Sequence, residues 1–565
     1  MKRNIKLLLV TTALISSFSC ELLASEKNLA HNPATASKYG NFLAPGDQAK
    51  KPHAEKAQKK LSKEARVYDD GVKIHIKDIE IIGAEAGENK QVLDLVRHML
   101  GASASSSAIE ADAQKIRKFY QEQGFILAMA YVPKQSFANG LVKIQVTKGA
   151  VREVLLVGDE VKSPVFEKYV EKILEMQPVT KTALVRYLEL MNKIPGYEVR
   201  YQFKPIKTPK GNKVADLEID VKRTHGKVSG NVDNYGTKDL GRNQISLGSE
   251  FLSPFNKDET MFGFIGTSNK PNKLKSVTVG YEKIVGSCGT AVSLLGSFST
   301  NTPNPPPGTD DSKKNNDSNM VRAAISNYPI LTNKSSVLVE AGAQNFAQIS
   351  HNGMTKQSKH HILTGFIGTQ IEHHDRFDAD NNLAVAAYKA INGASSVTMY
   401  DSTLKKYSDS FTLLTGNFWR DQPLFGPASL YIAANGQYSS AELPLNEKFA
   451  VGGMINGRGY KTALISSNKG GGANAEFRLS QYSKGVVNFL QPYLFYDVAS
   501  FNKTQAKTNV ASLASAGGGI RVGVTGDVFL NLEIGKPLRK EITIDGVTSK
   551  NNTRYSFTVN KEFKW

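Results

Sequence analysis

The pattern of hydrophobic positions changes character at two points along the chain, near Gly71 and near Lys227. Before Gly71 the residues are mostly polar once a short apolar stretch at the start has passed. Between the two points, alternating segments are interleaved with segments at helical spacing, and beyond Lys227 only alternation is left. These patterns predict a polar N-terminal segment, an α+β region and a long all-β region.

The region 71–149 has the order strand, helix, helix, strand, strand. Its first strand alternates through Ile74 and Ile76. Ser107 and Glu110 form a capping box that predicts the start of the second helix, and Gly124 predicts its end. Apolar residues at helical spacing predict the buried face of that helix: Ile109, Ala113, Ile116 and Tyr120.

The region 150–225 repeats this order with different residues. Strands are predicted at 151–157, 197–204 and 215–222, and helices at 164–176 and 181–194. Ser163 and Thr180 are the expected N-caps of the two helices. The two regions are therefore expected to form two small α+β domains, and neither carries a constellation of catalytic residues.

The region 226–565 shows alternating segments separated by loops rich in Gly, Asn, Asp and Ser. About 340 residues, at about 21 per strand and loop, allow sixteen strands, an even number as in bacterial barrels. The last segment places its apolar residues on one face, with Lys561 as the exception: Phe557, Val559, Phe563 and Trp565. The pattern predicts a transmembrane antiparallel β-barrel of sixteen strands. A polar insert at 301–319 predicts a disordered outer loop.

The first residues predict export from the cytoplasm. A basic start, MKRNIK, is followed by about nine apolar residues and then by small residues, as in a secretory signal that is too short to span a bilayer. We assign the signal peptide to residues 1–25, with lipidation of Cys20 as the alternative. No later run reaches the roughly 18 apolar residues of a transmembrane helix, which excludes a helical membrane protein.

The net charge bears on the expected partners, and the cysteine content bears on disulfides. The net charge is +19, and after export nucleic acid is not an expected partner; acidic lipid head groups, or solubility alone, account for the charge. Only Cys288 follows the signal peptide, so no internal disulfide is expected.

Candidate catalytic chemistry is sparse. The chain has no Walker A sequence, no GxSxG and no HExxH motif, so neither a nucleotide, a cofactor nor an enzymatic activity is expected. An enzyme with dispersed catalytic residues is the alternative. Five histidines lie at 351–374, but neighbouring histidines on a strand point to opposite faces, so no metal site is predicted.

Two further segments suggest a function inside an enclosed space. Residues 26–70 are polar and contain a candidate helix at 52–66, which is either part of a solvated linker or a helix that occupies an aqueous space. In the stretch EKFAVGGMINGRGY, Arg458 lies between Gly457 and Gly459. Because glycines allow positive φ and close approach, this loop could deliver one fixed charge into a confined space. A surface turn is the alternative.

The order of parts resembles the transporter subunit of two-partner secretion systems, the hemolysin and hemagglutinin secretion and activation family of the Omp85 superfamily, which carries two POTRA domains. Five segments are similar to the family's POTRA domains and barrel start: 120–125, 132–135, 140–146, 194–197 and 233–236. The loop similar to the VRGF/Y motif, with glycine at the usual valine, comprises Gly452, Gly453, Gly457, Arg458, Gly459 and Tyr460. Phe495, Asp497 and Ala499 are similar to the FxDxG strand motif, with alanine at its glycine.

The resemblance implies POTRA domains at 71–149 and 150–225, a barrel at 226–565 and a plug helix near 52–66. It implies that the loop after the eleventh strand enters the lumen, where Arg458 pairs with Asp497. It also implies an outer-membrane protein of a Gram-negative bacterium, inserted in lipid by the barrel assembly machinery. POTRA domains in the periplasm would capture a large secreted exoprotein, which crosses unfolded and without nucleotide hydrolysis. An Omp85-type insertase and a plain porin or receptor are the alternatives.

Overall fold

The computed structural model describes residues 73–565 except 211, 303–313, 353–354, 401–407, 444–446, 484, 505 and 545. It also describes two paired two-residue strands, Ala24–Ser25 and Asn28–Leu29. Apart from those, the predicted signal peptide and polar segment, with its candidate plug helix, lie outside the described residues. The chain divides into two compact units, and their boundary falls between Arg223 and Thr224.

The first α+β region contains two sheets and two helices. Lys73–His75 pairs with Ser103–Ser105, and a three-stranded sheet has Leu141–Thr147 between Asp78–Ile82 and Met129–Tyr131. The helices are α1 (Asn89–Val96) and α2 (Ser106–Glu122), with 3-10 turns at Arg97–Met99 and Ala138–Gly140. No helix in the described part of the chain is long and apolar enough to cross a membrane.

The buried face of α2 is confirmed: Ile109, Ala113, Ile116 and Tyr120 are at most 1% exposed. The predicted cap is wrong. Ser105, not Ser107, is the N-cap, and its hydroxyl accepts a hydrogen bond from the Ala108 amide at 3.3 Å. The Glu110 carboxylate instead accepts a bond from the backbone N–H of Val132 at 2.9 Å. A tertiary contact thus replaces the local capping box.

The second α+β region follows the predicted order. Its strands are Ala150–Gly158, Tyr197–Lys210 and Lys213–Arg223, with the last of these in the centre of the sheet. Its helices are α3 (Pro164–Glu175) and α4 (Lys181–Met191). Both predicted N-caps are confirmed, because Ser163 accepts from the Phe166 amide at 2.9 Å and Thr180 from the Ala183 amide at 3.4 Å.

The rest of the chain is a closed antiparallel barrel of sixteen strands, as predicted. Two of the strands are interrupted, since two consecutive segments pair with the same neighbour in each case. In chain order the strands are β1 Gly226–Asp233, β2 Gln244–Leu252, β3 Glu259–Ser268, β4 Leu274–Val285, β5 Thr290–Asn301, β6 Lys314–Leu331, β7 Ser335–Asn352, β8 Thr355–His374, β9 Asp380–Ala390 with Ser396–Met399, β10 Thr412–Pro423, β11 Ala428–Tyr438, β12 Gly470–Leu479 with Gln481–Tyr482, β13 Val487–Phe501, β14 Ser512–Val524, β15 Val528–Pro537 and β16 Arg554–Lys564.

Alternation divides the barrel wall into two faces. On β4, Val277 and Val279 are exposed on the outer face, while Ser276 and Thr278 are buried on the inner face. Strands of this kind suit a wall with lipid on one side and a lumen on the other. The inner face also carries a buried apolar cluster between β4 and β10, which includes Leu295, Phe346 and Tyr388.

Two features near the barrel ends differ from or extend the prediction. Asn301 pairs with Asn316, so the strands β5 and β6 take up both ends of the insert predicted to be a disordered loop at 301–319. The barrel closes where β1 pairs with β16, and the Trp565 amide donates to the Gly226 carbonyl at 3.1 Å. Phe563 and Trp565 stack at 6.3 Å between ring centroids, on the outer face that also holds Phe557 and Val559.

Candidate functional site

The loop between β11 and β12 carries Arg458 back against the barrel wall. A short hairpin, Phe449–Val451 with Ile465–Ser467, forms its base. Gly452, Gly453 and Gly457 have φ of +101°, +88° and +128°, which L side chains rarely adopt. Glycine at 457, where the VRGF/Y motif has valine, therefore fits a backbone that would strain a β-branched residue.

Arg458 is buried among carboxylates from three strands. Its Nη2 lies 2.6 Å from Asp497 Oδ1 on β13, and its Nη1 lies 2.6 Å from Glu476 Oε1 on β12. The same Nη1 is 3.2 Å from Glu533 Oε2 on β15. Arg458 is 6% exposed and Asp497 is 0% exposed. The structure thus brings the predicted pair together and adds two acidic partners.

Asp497 binds more than the guanidinium. Its Oδ2 accepts a hydrogen bond from the Arg458 backbone N–H at 2.9 Å and another from the Ser515 hydroxyl at 3.0 Å. Nε of Arg458 adds a bond of 3.1 Å to Oδ1. Charge-assisted bonds of this kind are the strong and directional ones. One carboxylate therefore holds the side chain and the backbone of residue 458 together.

Two further arginines contact Glu476 along the barrel wall. Glu476 lies 2.7 Å from Arg478 and 3.0 Å from Arg521, in addition to its contact with Arg458. Tyr493 donates its hydroxyl to Glu533 at 2.9 Å. We use the name ion cluster for three arginines and three carboxylates: Arg458, Arg478, Arg521, Glu476, Asp497 and Glu533. Arg478 has a further, partly exposed carboxylate partner, Asp421, at 3.3 Å. Pairing each buried charge with an opposite one reduces the cost of burial.

Each arginine of the ion cluster also stacks on an aromatic ring. Arg458 lies 3.5 Å from the centroid of Phe495, the first residue of the predicted strand motif. Arg478 lies 3.8 Å from the ring of Tyr431, and Arg521 lies 3.9 Å from that of Tyr493. A guanidinium plane is well suited to this contact because it stacks while its edges donate hydrogen bonds.

Glycines allow the loop to approach the wall closely. A Cβ on Gly459 would lie 2.6 Å from the backbone nitrogen of Pro537, and one on Gly535 would lie 2.9 Å from the carbonyl carbon of Arg458. The two glycines that flank Arg458 thus have different roles. Gly457 supplies the positive φ, and Gly459 supplies the close contact with β15.

Tyr460 joins the loop to its outer neighbours. Its hydroxyl donates to the Ala514 carbonyl at 2.9 Å and accepts from the Arg539 amide at 3.1 Å. Tyr460 and Ala499 are buried in one apolar cluster with Phe449 and Ile542. Alanine at 499, where the strand motif has glycine, is therefore part of a packed surface.

The residues that sequence reasoning missed are Glu476, Glu533, Arg478, Arg521 and Ser515. A signal for four of them was present, because each is a charged residue between two apolar residues of an alternating segment. Arg478 lies between Phe477 and Leu479, and Glu533 lies between Leu532 and Ile534. The alternation alone gives no reason to group residues from different strands.

The histidines on β8 do not converge. His360 is buried on the inner face, and His374 bonds to Asp378 and Asp380 at 3.1 and 2.9 Å. Within the described ranges, no group of three or more His, Cys, Asp or Glu side chains is arranged to hold a metal ion.

Comparison with known proteins places this chain in a family. Residues 215–522 match the family described as haemolysin secretion/activation protein ShlB/FhaC/HecB. The chain belongs to this family. Residues 74–149 match the POTRA domain, ShlB-type. Members of the family are transporters of two-partner secretion, so the chain is an outer-membrane transporter with periplasmic POTRA domains and a secreted exoprotein as its partner.

Individual relatives agree with the family match. The heme/hemopexin transporter protein HuxB of Haemophilus influenzae is 23% identical over an alignment of 501 positions, and the alignment covers 84% of this chain and 86% of HuxB. CdiB from Escherichia coli has a TM-score of 0.70 at 16% identity, covering 90% of this chain and 96% of CdiB. BamA from Haemophilus ducreyi without POTRA domains 1–3 has a TM-score of 0.50 at 14% identity, over 86% of this chain and all of that one. The structural likenesses show the shared fold.

Proposed function

We propose that the POTRA domains capture an exoprotein in the periplasm and that the exoprotein then crosses the barrel unfolded, without nucleotide hydrolysis. In this proposal Arg458 is an internal latch: its ion pairs with the wall carboxylates hold the loop against the barrel wall. The observation that carries it is the burial of Arg458 among Asp497, Glu476 and Glu533. A passive pore has no need of a loop fastened in this way.

The energetics support a firmly held latch. Removing one partner of a buried ion pair costs about 3–5 kcal/mol, because the other charge stays buried without compensation. When the whole arginine moves, the remaining members are also left unbalanced. The loop is therefore held strongly in place, and a translocating chain must displace it as a unit or pass beside it.

The second α+β region offers a candidate edge for exoprotein capture. Ala150–Gly158 pairs on one side with Lys213–Arg223, and no described strand pairs with its other side. Leu156 and Val157 near its end are 46% and 41% exposed. An extended segment could add to this edge through backbone hydrogen bonds, with its side chains chosen by the neighbouring surface.

Export in this proposal draws on no catalysis by the chain itself. Neither a nucleotide-binding motif nor a catalytic motif is present in the sequence. Folding of the exoprotein outside the cell would prevent its return and so give the transport its direction. We expect the barrel assembly machinery to insert the chain into the outer-membrane lipid.

The latch is tested by export of the partner exoprotein. We expect Arg458→Ala to lower the amount in the medium at least about tenfold while the barrel stays folded in the membrane. The matched control is Arg322→Ala, which removes another buried arginine, paired with Glu340 at 2.7 Å and stacked 4.1 Å from the Phe366 ring. Equal losses in both variants would show a general loss of stability and overturn the latch.

Independence from nucleotides is tested with the full chain in lipid vesicles. An unfolded N-terminal fragment of the exoprotein is added outside, on the side of the POTRA domains, without nucleotide. Protection of that fragment from protease is expected with the wild-type chain and not with empty vesicles. Protection that appears only after ATP is added would contradict the proposal.

A further inference from the structure

We propose that the outer ends of β2 to β4 form a binding site for the phosphate groups of the outer-leaflet lipid, lipopolysaccharide. The site goes beyond export, because it concerns how the barrel contacts its membrane. It consists of five basic residues, which we call the basic rim: Lys238, Arg242, Lys270, Lys273 and Lys275.

The basic rim lies at the end of the barrel that faces the cell exterior. The other end has short connections, such as 286–289 and 332–334, and it also holds Gly226 and Trp565. Short turns are typical of the periplasmic side and long loops of the outer side. The connections 234–243 and 269–273, which carry four of the five cations, are at the long-loop end.

Hydrogen bonds from Ser268 and Asn269 hold these two loops together. The Asn269 amide donates to the Asn243 carbonyl at 2.8 Å, and the Ser268 hydroxyl donates to the Leu240 carbonyl. Gly241 has φ of +111°, and a Cβ there would lie 2.5 Å from Ser268 Oγ. Arg242 is next to Asn243 in the chain, and Lys270 is next to Asn269. The hydrogen bond between Asn269 and Asn243 therefore brings the backbones of the two basic residues together.

The cations are available to an anion. Lys238, Arg242, Lys270 and Lys275 are exposed, and Lys273 is half-buried. Among the described residues, no carboxylate forms an ion pair with any of the five within 4.0 Å. The two loops contain one acidic residue, Asp239. The exposed Asp317, on β6, bounds the basic rim on the far side of β5.

The arrangement fits a lipid better than a free anion. Lys275 is on the outer face of β4, directly in line with Val277 and Val279, which are 44% and 53% exposed. Ile245 on β2 and Ile265 on β3 are 48% and 54% exposed on the same face. A phosphorylated head group at the basic rim would therefore have its acyl chains along an apolar wall, and clustered Lys and Arg beside apolar surface bind anionic lipid.

The test measures binding of bis-phosphorylated lipid A to the full chain in neutral detergent by native mass spectrometry. The site variant combines Arg242→Gln, Lys270→Gln and Lys275→Gln. The control variant makes the same charge change on the loops after β13 and β15, with Lys503→Gln, Lys540→Gln and Lys550→Gln, all three exposed. Folding of each variant is checked by its resistance to unfolding in detergent at room temperature.

We expect the site variant to bind lipid A at least about tenfold more weakly and the control variant to bind as the wild type does. Lipid A with both phosphates removed should not distinguish the three proteins. Equal losses in both variants, or equal binding by all three, would overturn the proposal. It would also be overturned by displacement with equimolar inorganic phosphate, which indicates a free-anion site, or by lost export with unchanged lipid binding, which indicates an exoprotein contact.

Discussion

Asp497 binds both the side chain and the backbone of Arg458. Its carboxylate accepts a hydrogen bond from the guanidinium at 2.6 Å and another from the backbone N–H at 2.9 Å. The pair is therefore more than an ion pair. The carboxylate also determines where the loop backbone runs. An exchange of the two charges could restore the ion pair, but it could not restore the backbone bond.

We accordingly expect the double exchange Arg458→Asp with Asp497→Arg to fail as a rescue. Export should stay as low as in the Arg458→Ala variant, because position 497 would no longer accept from the backbone N–H of residue 458 and the new arginine would lie where Ser515 now donates. The measurement is exoprotein in the medium, with protease cleavage of the loop in intact cells as a second readout. Restored export would show that charge pairing alone is sufficient.

A methyl group at Gly535 should displace the loop. Its Cβ would lie 2.9 Å from the Arg458 carbonyl oxygen, and overpacking of this kind costs about 1–3 kcal/mol. Gly365→Ala on β8 is the matched control, since its Cβ would have no neighbour within 4 Å. We expect the free energy of unfolding in vesicles to fall for Gly535→Ala alone. Equal values for both variants would contradict the close contact.

Within the ion cluster, Glu476 should matter more for stability than Glu533. Glu476 is within 3.0 Å of Arg458, Arg478 and Arg521, whereas Glu533 reaches only Arg458 at 3.2 Å and the Tyr493 hydroxyl among the described residues. Loss of a central buried carboxylate costs about 3–5 kcal/mol. We expect Glu476→Gln to lower the free energy of unfolding by that amount and Glu533→Gln by less.

A double-mutant cycle separates that effect from a simple loss of packing. We expect Glu476→Gln and Arg521→Gln to show a coupling free energy of at least about 1 kcal/mol, because the two side chains share hydrogen bonds of 3.0 and 3.2 Å. The control cycle pairs Glu476→Gln with Lys540→Gln on an outer loop. A coupling of similar size in both cycles would refute a specific network.

Tyr460→Phe should loosen the outer loops without moving Arg458. The hydroxyl is bonded to the Ala514 carbonyl and to the Arg539 amide, and leaving such groups unsatisfied costs about 1–3 kcal/mol. We expect faster protease cleavage within the loop after β15 on intact cells. Tyr555→Phe, which alters a hydroxyl on a side chain that is 71% exposed, is the control and should have no effect.

The periodicity, the starts of α3 and α4 and the two motifs could be predicted from the amino-acid sequence. Alternation indicated a barrel, the length of the region predicted sixteen strands, and local chemistry identified Ser163 and Thr180 as caps. Arg458 between glycines and Asp497 after Phe495 were visible because each is a local pattern. Features within a few residues of one another are encoded locally, so they can be read without a structure.

The grouping of charges on the lumen wall, by contrast, depends on the three-dimensional fold. Glu476, Asp497, Ser515 and Glu533 come from four different strands. The register of the barrel makes Asp497 and Ser515 direct partners and places Glu476 and Glu533 two and four residues from the same line of pairs. The same holds for the capping of α2, where Glu110 bonds to Val132 rather than to its own helix. Alternation states which face a residue occupies. The neighbours of that residue on adjacent strands depend on the strand register, which closure of the barrel sets.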